Sequence, residues 1–205
     1  MKIKVCGMRE TENIHRLVKL KPDYIGFIFY SKSPRFVFES TPNLPGDIKK
    51  TGVFVNSEIE FIKKTIIKHE LKCVQLHGEE TPEFCKLVKS LNVEVIKAIN
   101  ILDKYDFKEL IPYQMFCNYF LFDTKGKQPG GNGYGFNWKI LKDYNIDKPF
   151  FLSGGISPNH IQKIKKLVKT NLPVYAIDIN SKFESKPGHK KIETIREFKS
   201  KINEL

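Results

Sequence analysis

The chain has 205 residues, 40% of them hydrophobic and 28% charged, which suits one domain with a sizeable core or at most two small ones. No apolar run approaches the ~20 residues needed to cross a bilayer, and Met1–Val5 is too short and too basic for a secretion signal, so a cytoplasmic protein with no membrane partner is expected. The net charge of +12 comes from lysines dispersed over stretches such as HIQKIKKLVKT (160–170), which reads as solvated helix faces and not as a nucleic-acid surface.

Eight short runs rich in β-branched and aromatic residues follow one another: IKVC (3–6), YIGFIF (24–29), TGVFV (51–55), KCVQL (72–76), VEVIKA (93–98), YFLFD (119–123), FFLS (150–153) and VYAIDI (174–179). Helical periodicity fills several of the gaps, at 57–70, 81–91 and 157–170. The second and third of these open on Thr81-Pro82 and Ser157-Pro158, an N-cap followed by the proline that suits a first helical turn. Strand starts fall about 20 to 30 residues apart, the length of a compact βα unit. Eight such units with no linker or low-complexity tract predict a single (β/α)8 barrel, a TIM barrel, over 1–205. A doubly wound open sheet is the alternative, but no GxGxxG opens the first helix.

Catalytic groups of a (β/α)8 barrel lie at the C-terminal ends of the strands, and the unusual residues fall there. Cys6 ends strand 1, Arg35 lies in the loop after strand 2, Asn56 follows strand 3, and His77 ends strand 4. Asp123 ends strand 6, Ser153-Gly154-Gly155 ends strand 7, and Asp178 lies near the end of strand 8. LSGGIS (152–157) leads into a helix start, where glycines admit an anion and free amides attract it. With Asn180 and Ser181 after strand 8 it forms the expected phosphate cradle, so the implied partner is a phosphorylated small molecule. Strand alternation points Leu121 and Asp123 into the barrel, with Phe120 and Phe122 outward. On strand 1, Lys4 and Cys6 point inward, with Ile3 and Val5 outward. Asp123 is a candidate general acid at the edge of a glycine-rich segment (124–138) expected to act as a lid, with glycines at 126, 130, 131, 133 and 135.

A lysine inside a barrel needs an acidic partner, and Asp178 on the neighbouring strand is the expected one. A cation beside Cys6 would lower its pKa toward the thiolate, an effect that depends on whether Lys4 is spent on Asp178, and Cys6 facing Asp123 would make a base and acid pair. Arg35 is a forked cation suited to a carboxylate, and His77 suits a hydrogen-bonded supporting role. The other cysteines, Cys73, Cys85 and Cys117, read as inert core thiols. The four cysteines have no CxxC pairing or histidine spacing that suggests a metal.

Taken together, KVCGMRE (4–10), GFIFYSKSPRFV (26–37), GVFVN (52–56), VQLHGEE (74–80), FDTKG (122–126), GGNGYGFNW (130–138), LSGGISPNHI (152–161) and DINSKFESKPGHK (178–190) resemble phosphoribosylanthranilate isomerase of tryptophan biosynthesis, over essentially the whole chain. The resemblance implies an Amadori rearrangement of N-(5-phosphoribosyl)anthranilate without metal or organic cofactor. It implies Asp123 as the acid and Cys6 as the base. Arg35 would hold the anthranilate carboxylate, with Asp178 near its amino group and His77 in support. Gly154, Gly155, Ile156, Asn180 and Ser181 would bind the phosphate.

Two positions depart from the family pattern. Lys182 stands where Gly commonly follows Ser, and Lys191 stands where Asp commonly follows Pro-Gly-x-Lys. The rival readings are indole-glycerol-phosphate synthase, which implies a catalytic lysine and paired glutamates at the mouth, and a basic RNA-binding protein. Both a monomer and a homodimer are compatible with the sequence.

Overall fold

A computed structural model describes residues 1–102, 104–124 and 137–204. Eight parallel strands close into a barrel in simple sequence order, with β8 pairing back onto β1. They are β1 (Lys2–Val5), β2 (Tyr24–Ile28), β3 (Lys49–Phe54), β4 (Cys73–Leu76), β5 (Glu94–Ile101), β6 (Tyr119–Thr124), β7 (Phe150–Leu152) and β8 (Val174–Ile179). The helices are α1 (Thr11–Val18), α2 (Ile59–His69), α3 (Pro82–Lys89), α4 (Ile161–Val168) and α5 (Ile192–Asn203).

The two-residue alternation separates two apolar layers. Ile3, Val5, Phe120 and Phe122 belong to the large cluster that includes helix residues such as Ile14, Ile62 and Ile164. Leu121, Phe151, Ala176, Ile96 and Tyr24 form a smaller, separate cluster inside the barrel. Its lower end is closed by Tyr24, whose hydroxyl meets that of Tyr175 at 3.1 Å and donates to Glu94 at 3.2 Å, and by an ion pair between Lys49 and Glu94. All four cysteines are buried free thiols. Cys73 lies in the inner cluster, and burial pushes its pKa up to about 12.

The caps follow local chemistry. Thr81 accepts from the Phe84 amide at 3.3 Å with Pro82 in the first turn of α3. Ser157 and His160 form a reciprocal capping box over a short 3₁₀ turn, Pro158–His160, so α4 starts later than the periodicity from 157 implies.

Among the described residues, three connections hold no α-helix of the kind that a regular βα repeat implies. The loop between β2 and β3 carries Pro34, Pro42 and Pro45, which break helical hydrogen bonding. The gaps after β5 and β6 hold 3₁₀ segments, Phe107–Tyr113 (with Pro112 inside it) and Trp138–Asp143. After β8 the chain makes a 3₁₀ turn, Ser181–Phe183, and a small hairpin of β9 (Glu184–Lys186) and β10 (His189–Lys190). That hairpin is too short to register as a pattern in the sequence, and it proves central to the site. The glycines of the expected lid at 126, 130, 131, 133 and 135 lie outside the described residues.

Candidate active site

The C-terminal ends of the strands surround a cavity of about 420 Å³. Cys6, Arg35, His77, Asp123, Gly154, Gly155, Ile156, Asp178, Asn180 and Ser181 all line it, brought together from six different strand ends and loops. Asn56 is absent from that lining. Its side chain accepts from the Glu79 amide at 2.7 Å and its amide donates to Glu80 at 2.9 Å, so it braces the turn after β4. Glu80 is held in turn by Lys97 at 2.9 Å, a buried pair outside the cavity.

On one wall, the β1–β8 register sets Lys4 opposite Asp178, and the Lys4 ammonium donates to Asp178 Oδ1 at 2.9 Å, the expected pairing. Asp178 Oδ2 accepts from Ser153 Oγ at 3.3 Å. Burial pushes the Asp178 carboxyl above its usual range against the pull of Lys4, with the charge of Asp123 adding to the rise. Burial would by itself lower the Lys4 pKa, but the charges of Asp178 and Cys6 outweigh it, so Lys4 stays charged.

Cys6 is 4% exposed. With Lys4 paired to Asp178, the charge that would lower the thiol pKa does not prevail. Burial dominates and raises it, with Asp178 adding to the rise, although Lys4 and Lys190 pull the other way. The cation expected to activate Cys6 is largely neutralised by its own carboxylate. Gly26 on β2 makes room for the thiol: a Cβ there would lie 2.8 Å from Cys6 Sγ.

On the β4–β6 side, Gln75 Nε2 sits 2.7 Å from His77 Nδ1. With the Gln75 amide donating, Nδ1 is the acceptor and the ring proton resides on Nε2. That nitrogen approaches Asp123 Oδ2 at 3.2 Å, off the line of a hydrogen bond. Asp123 Oδ1 accepts from the Thr124 amide at 2.8 Å. Gln75 is a site residue that the sequence reading passed over; its place two residues before His77, on the same face of the strand, is the signal that identifies it.

The third wall is the turn after β7, where the sequence predicts the phosphate cradle. Gly154 and Gly155 have φ of +82° and +65°, a region that favours glycine. A Cβ on Gly154 would also fall 2.4 Å from Thr124 Oγ1. Among the described residues the amides of Gly154, Gly155 and Ile156 donate to no protein acceptor. Lys182, one of the departures from the family pattern, is exposed in the 3₁₀ turn beside Ser181, and Lys191 is exposed ahead of α5.

Arg35 is the forked cation expected to hold a ligand carboxylate, and it lines the cavity. Its Nε and Nη2 also meet the Glu184 carboxylate at 2.9 and 2.7 Å, a bidentate pair across loops 2 and 8. The Nη1 side of the guanidinium has no protein partner among the described residues. Burial acts to raise the Glu184 pKa, but Arg35 and Lys190 bring it below the usual carboxylate value. Lys190 is held down to about 8 by burial, against the opposing charges of Glu184 and Cys6. Glu184 and Lys190 were not anticipated, because a hairpin had to fold before a distant arginine acquired them.

Among the described residues no helix is long and apolar enough to cross a membrane. The family model described as "PRAI: N-(5'phosphoribosyl)anthranilate (PRA) isomerase" matches residues 3–201. N-(5'-phosphoribosyl)anthranilate isomerase of Parabacteroides distasonis is 41% identical, over 98% of this chain and 93% of that protein. The same enzyme of Phocaeicola vulgatus is 40% identical, over 100% and 98%. The crystal structure of phosphoribosyl anthranilate isomerase from Thermotoga maritima superposes with a TM-score of 0.85 at 30% identity, over the whole of both chains. A phosphoribosyl anthranilate isomerase solved in complex with reduced 1-(o-carboxyphenylamino)-1-deoxyribulose 5-phosphate superposes at 0.83, also at 30% identity and over both whole chains. The chain therefore belongs to the N-(5'-phosphoribosyl)anthranilate isomerase family.

Proposed function

We propose that this chain carries out its family's Amadori rearrangement, in tryptophan biosynthesis, with Asp123 as general acid and Cys6 as general base. The observation that carries this is the shared cavity: a buried carboxylic group and a buried thiol open onto one space beside unpaired amides. In the substrate, N-(5'-phosphoribosyl)anthranilate, Asp123 donates a proton to the furanose ring oxygen as the C1'–O bond breaks. The anthranilate nitrogen lone pair forms the C1'=N bond, giving a protonated Schiff base. The thiolate form of Cys6, disfavoured by burial and favoured by the Lys4 and Lys190 charges, removes the C2' proton, and the C2'–H electron pair moves to make the enolamine. Protonation at C1' and loss of the O2' proton give the 1-deoxyribulose ketone, an isomer of the substrate. Each positioned proton transfer is worth roughly 10²- to 10⁴-fold.

Arg35 holds the anthranilate carboxylate through the edge that Glu184 leaves open, and Asp178 lies against the anthranilate nitrogen. His77 supports Asp123. The amides of Gly154–Ile156, with Asn180 and Ser181, take the phosphate. The imine forms within the substrate, so the chemistry calls for no metal or organic cofactor. The same reading makes 1–205 one catalytic domain acting in the cytoplasm as a monomer or homodimer, on a small phosphorylated molecule and not on nucleic acid or membrane. Loss of substrate fluorescence, with appearance of an isomer of equal mass, tests it; absence of turnover by the purified chain refutes it.

A further inference from the structure

Three charges are buried together behind the mouth. The Lys190 ammonium, on β10, donates to Glu184 Oε1 at 2.5 Å and to Asn180 Oδ1 at 2.7 Å, with its side chain fully enclosed. Glu184, on β9, holds the Nε–Nη2 edge of Arg35. From the opposite side Gly7, at φ +74°, backs both ends of the chain of contacts: a Cβ there would fall 2.6 Å from Arg35 Cδ and 2.7 Å from Asn180 Oδ1. Such a cluster is a poor way to gain stability, because desolvating charges costs about as much as their attraction returns, and an apolar filling often does better. What it supplies is fixed geometry. Lys190 bonds the Asn180 amide oxygen, and the Asn180 NH2 group donates to no acceptor among the described residues, on a residue that lines the cavity. The bonds to Glu184 set the plane of the guanidinium, and its Nη1 group has no partner among the described residues, on a side chain that lines the cavity.

We propose that Glu184 and Lys190 are positioning residues that join the grips on the two anionic ends of the substrate into one unit. Lys190 ties the phosphate-side Asn180 to Glu184, and Glu184 turns Arg35 toward the carboxylate. This rests on the reading of Arg35 as the carboxylate ligand.

Steady-state kinetics on N-(5'-phosphoribosyl)anthranilate tests it with Glu184→Gln, Arg35→Ala, the double variant and Lys190→Met, each checked for folding by thermal melting. Glu184→Gln is expected to raise KM roughly ten- to a hundredfold, the size of a lost charge-assisted contact, with kcat within about threefold, since binding common to ground and transition states is what is lost. In the Arg35→Ala background the same change should add less than about threefold to KM. Lys190→Met should weaken competitive inhibition by both inorganic phosphate and anthranilate. If Arg35→Ala raises KM while Glu184→Gln does not, or if the two effects multiply in full, the positioning role is overturned and the Arg35 reading stands. If Arg35→Ala leaves KM unchanged, the carboxylate reading falls and takes this inference with it. Should Glu184→Gln fail to fold, the Lys190→Met arm decides: unchanged inhibition by phosphate and anthranilate overturns the proposal.

Discussion

Replacing Lys4 with methionine should expose how much of the barrel interior depends on one ion pair. Lys4 is 0% exposed and bonds Asp178 at 2.9 Å, and Asp178 is itself 6% exposed. Removing one partner of a buried pair leaves an uncompensated charge and costs about 3–5 kcal/mol. With a urea dependence of about 2–3 kcal/mol per molar, the midpoint should fall by roughly 1–2 M. Trp138, the single tryptophan, is 4% exposed and reports unfolding by fluorescence.

The deficit should also depend on pH in a defined direction. Burial holds the Asp178 carboxyl above its unfolded value, so its stabilising contribution is present at low pH and lost as pH rises through the folded value. Without Lys4 that folded value rises further. The variant should therefore recover toward wild type as pH is lowered, and Lys4→Met/Asp178→Asn should be more stable than Lys4→Met alone at neutral pH. A midpoint shift under about 0.3 M, or a deficit that does not narrow on acidification, would refute the reasoning.

Two further expectations concern Cys6. Gly26→Ala places a methyl 2.8 Å from Cys6 Sγ and 3.1 Å from its Cα, so the thiol must move. Because even a 1 Å misplacement of a reacting group costs about 10²-fold, kcat should fall by about that factor in a protein that still melts cooperatively; unchanged kcat would show that Cys6 is not held by this contact. Alkylation of Cys6 by iodoacetamide, taken as wild type minus Cys6→Ser, should keep accelerating as pH rises past the ordinary thiol range. The thiolate is the reactive form, and burial, the largest influence, raises its pKa; a plateau near pH 7 would contradict that.

The barrel was legible because alternation and strand spacing are local properties. Phe120 and Phe122 against Leu121 and Asp123 already separate the outer layer from the inner one, and the structure keeps that separation. The Lys4–Asp178 pair was legible for the same reason, since a buried ammonium in β1 has few carboxylates within reach. The state of Cys6 was not, because its pKa is a balance of burial against charges whose pairing only the fold determines. Arg35 shows the same limit: the partner that takes half its fork is 149 positions away, on a hairpin only a few residues long. The 3₁₀ segments after β5 and β6 were hidden because a βα repeat predicts that something helical follows each strand, not which kind.

The most direct test of the acid–base assignment is kcat for Cys6→Ser and Asp123→Asn, followed by loss of phosphoribosylanthranilate fluorescence, with folding of both variants verified. Each removes one proton-transfer group from the cavity, and each should reduce kcat by at least about 10²-fold with melting close to wild type. Turnover undiminished in either well-folded variant would contradict the role given to that residue, and undiminished turnover in both would overturn the mechanism.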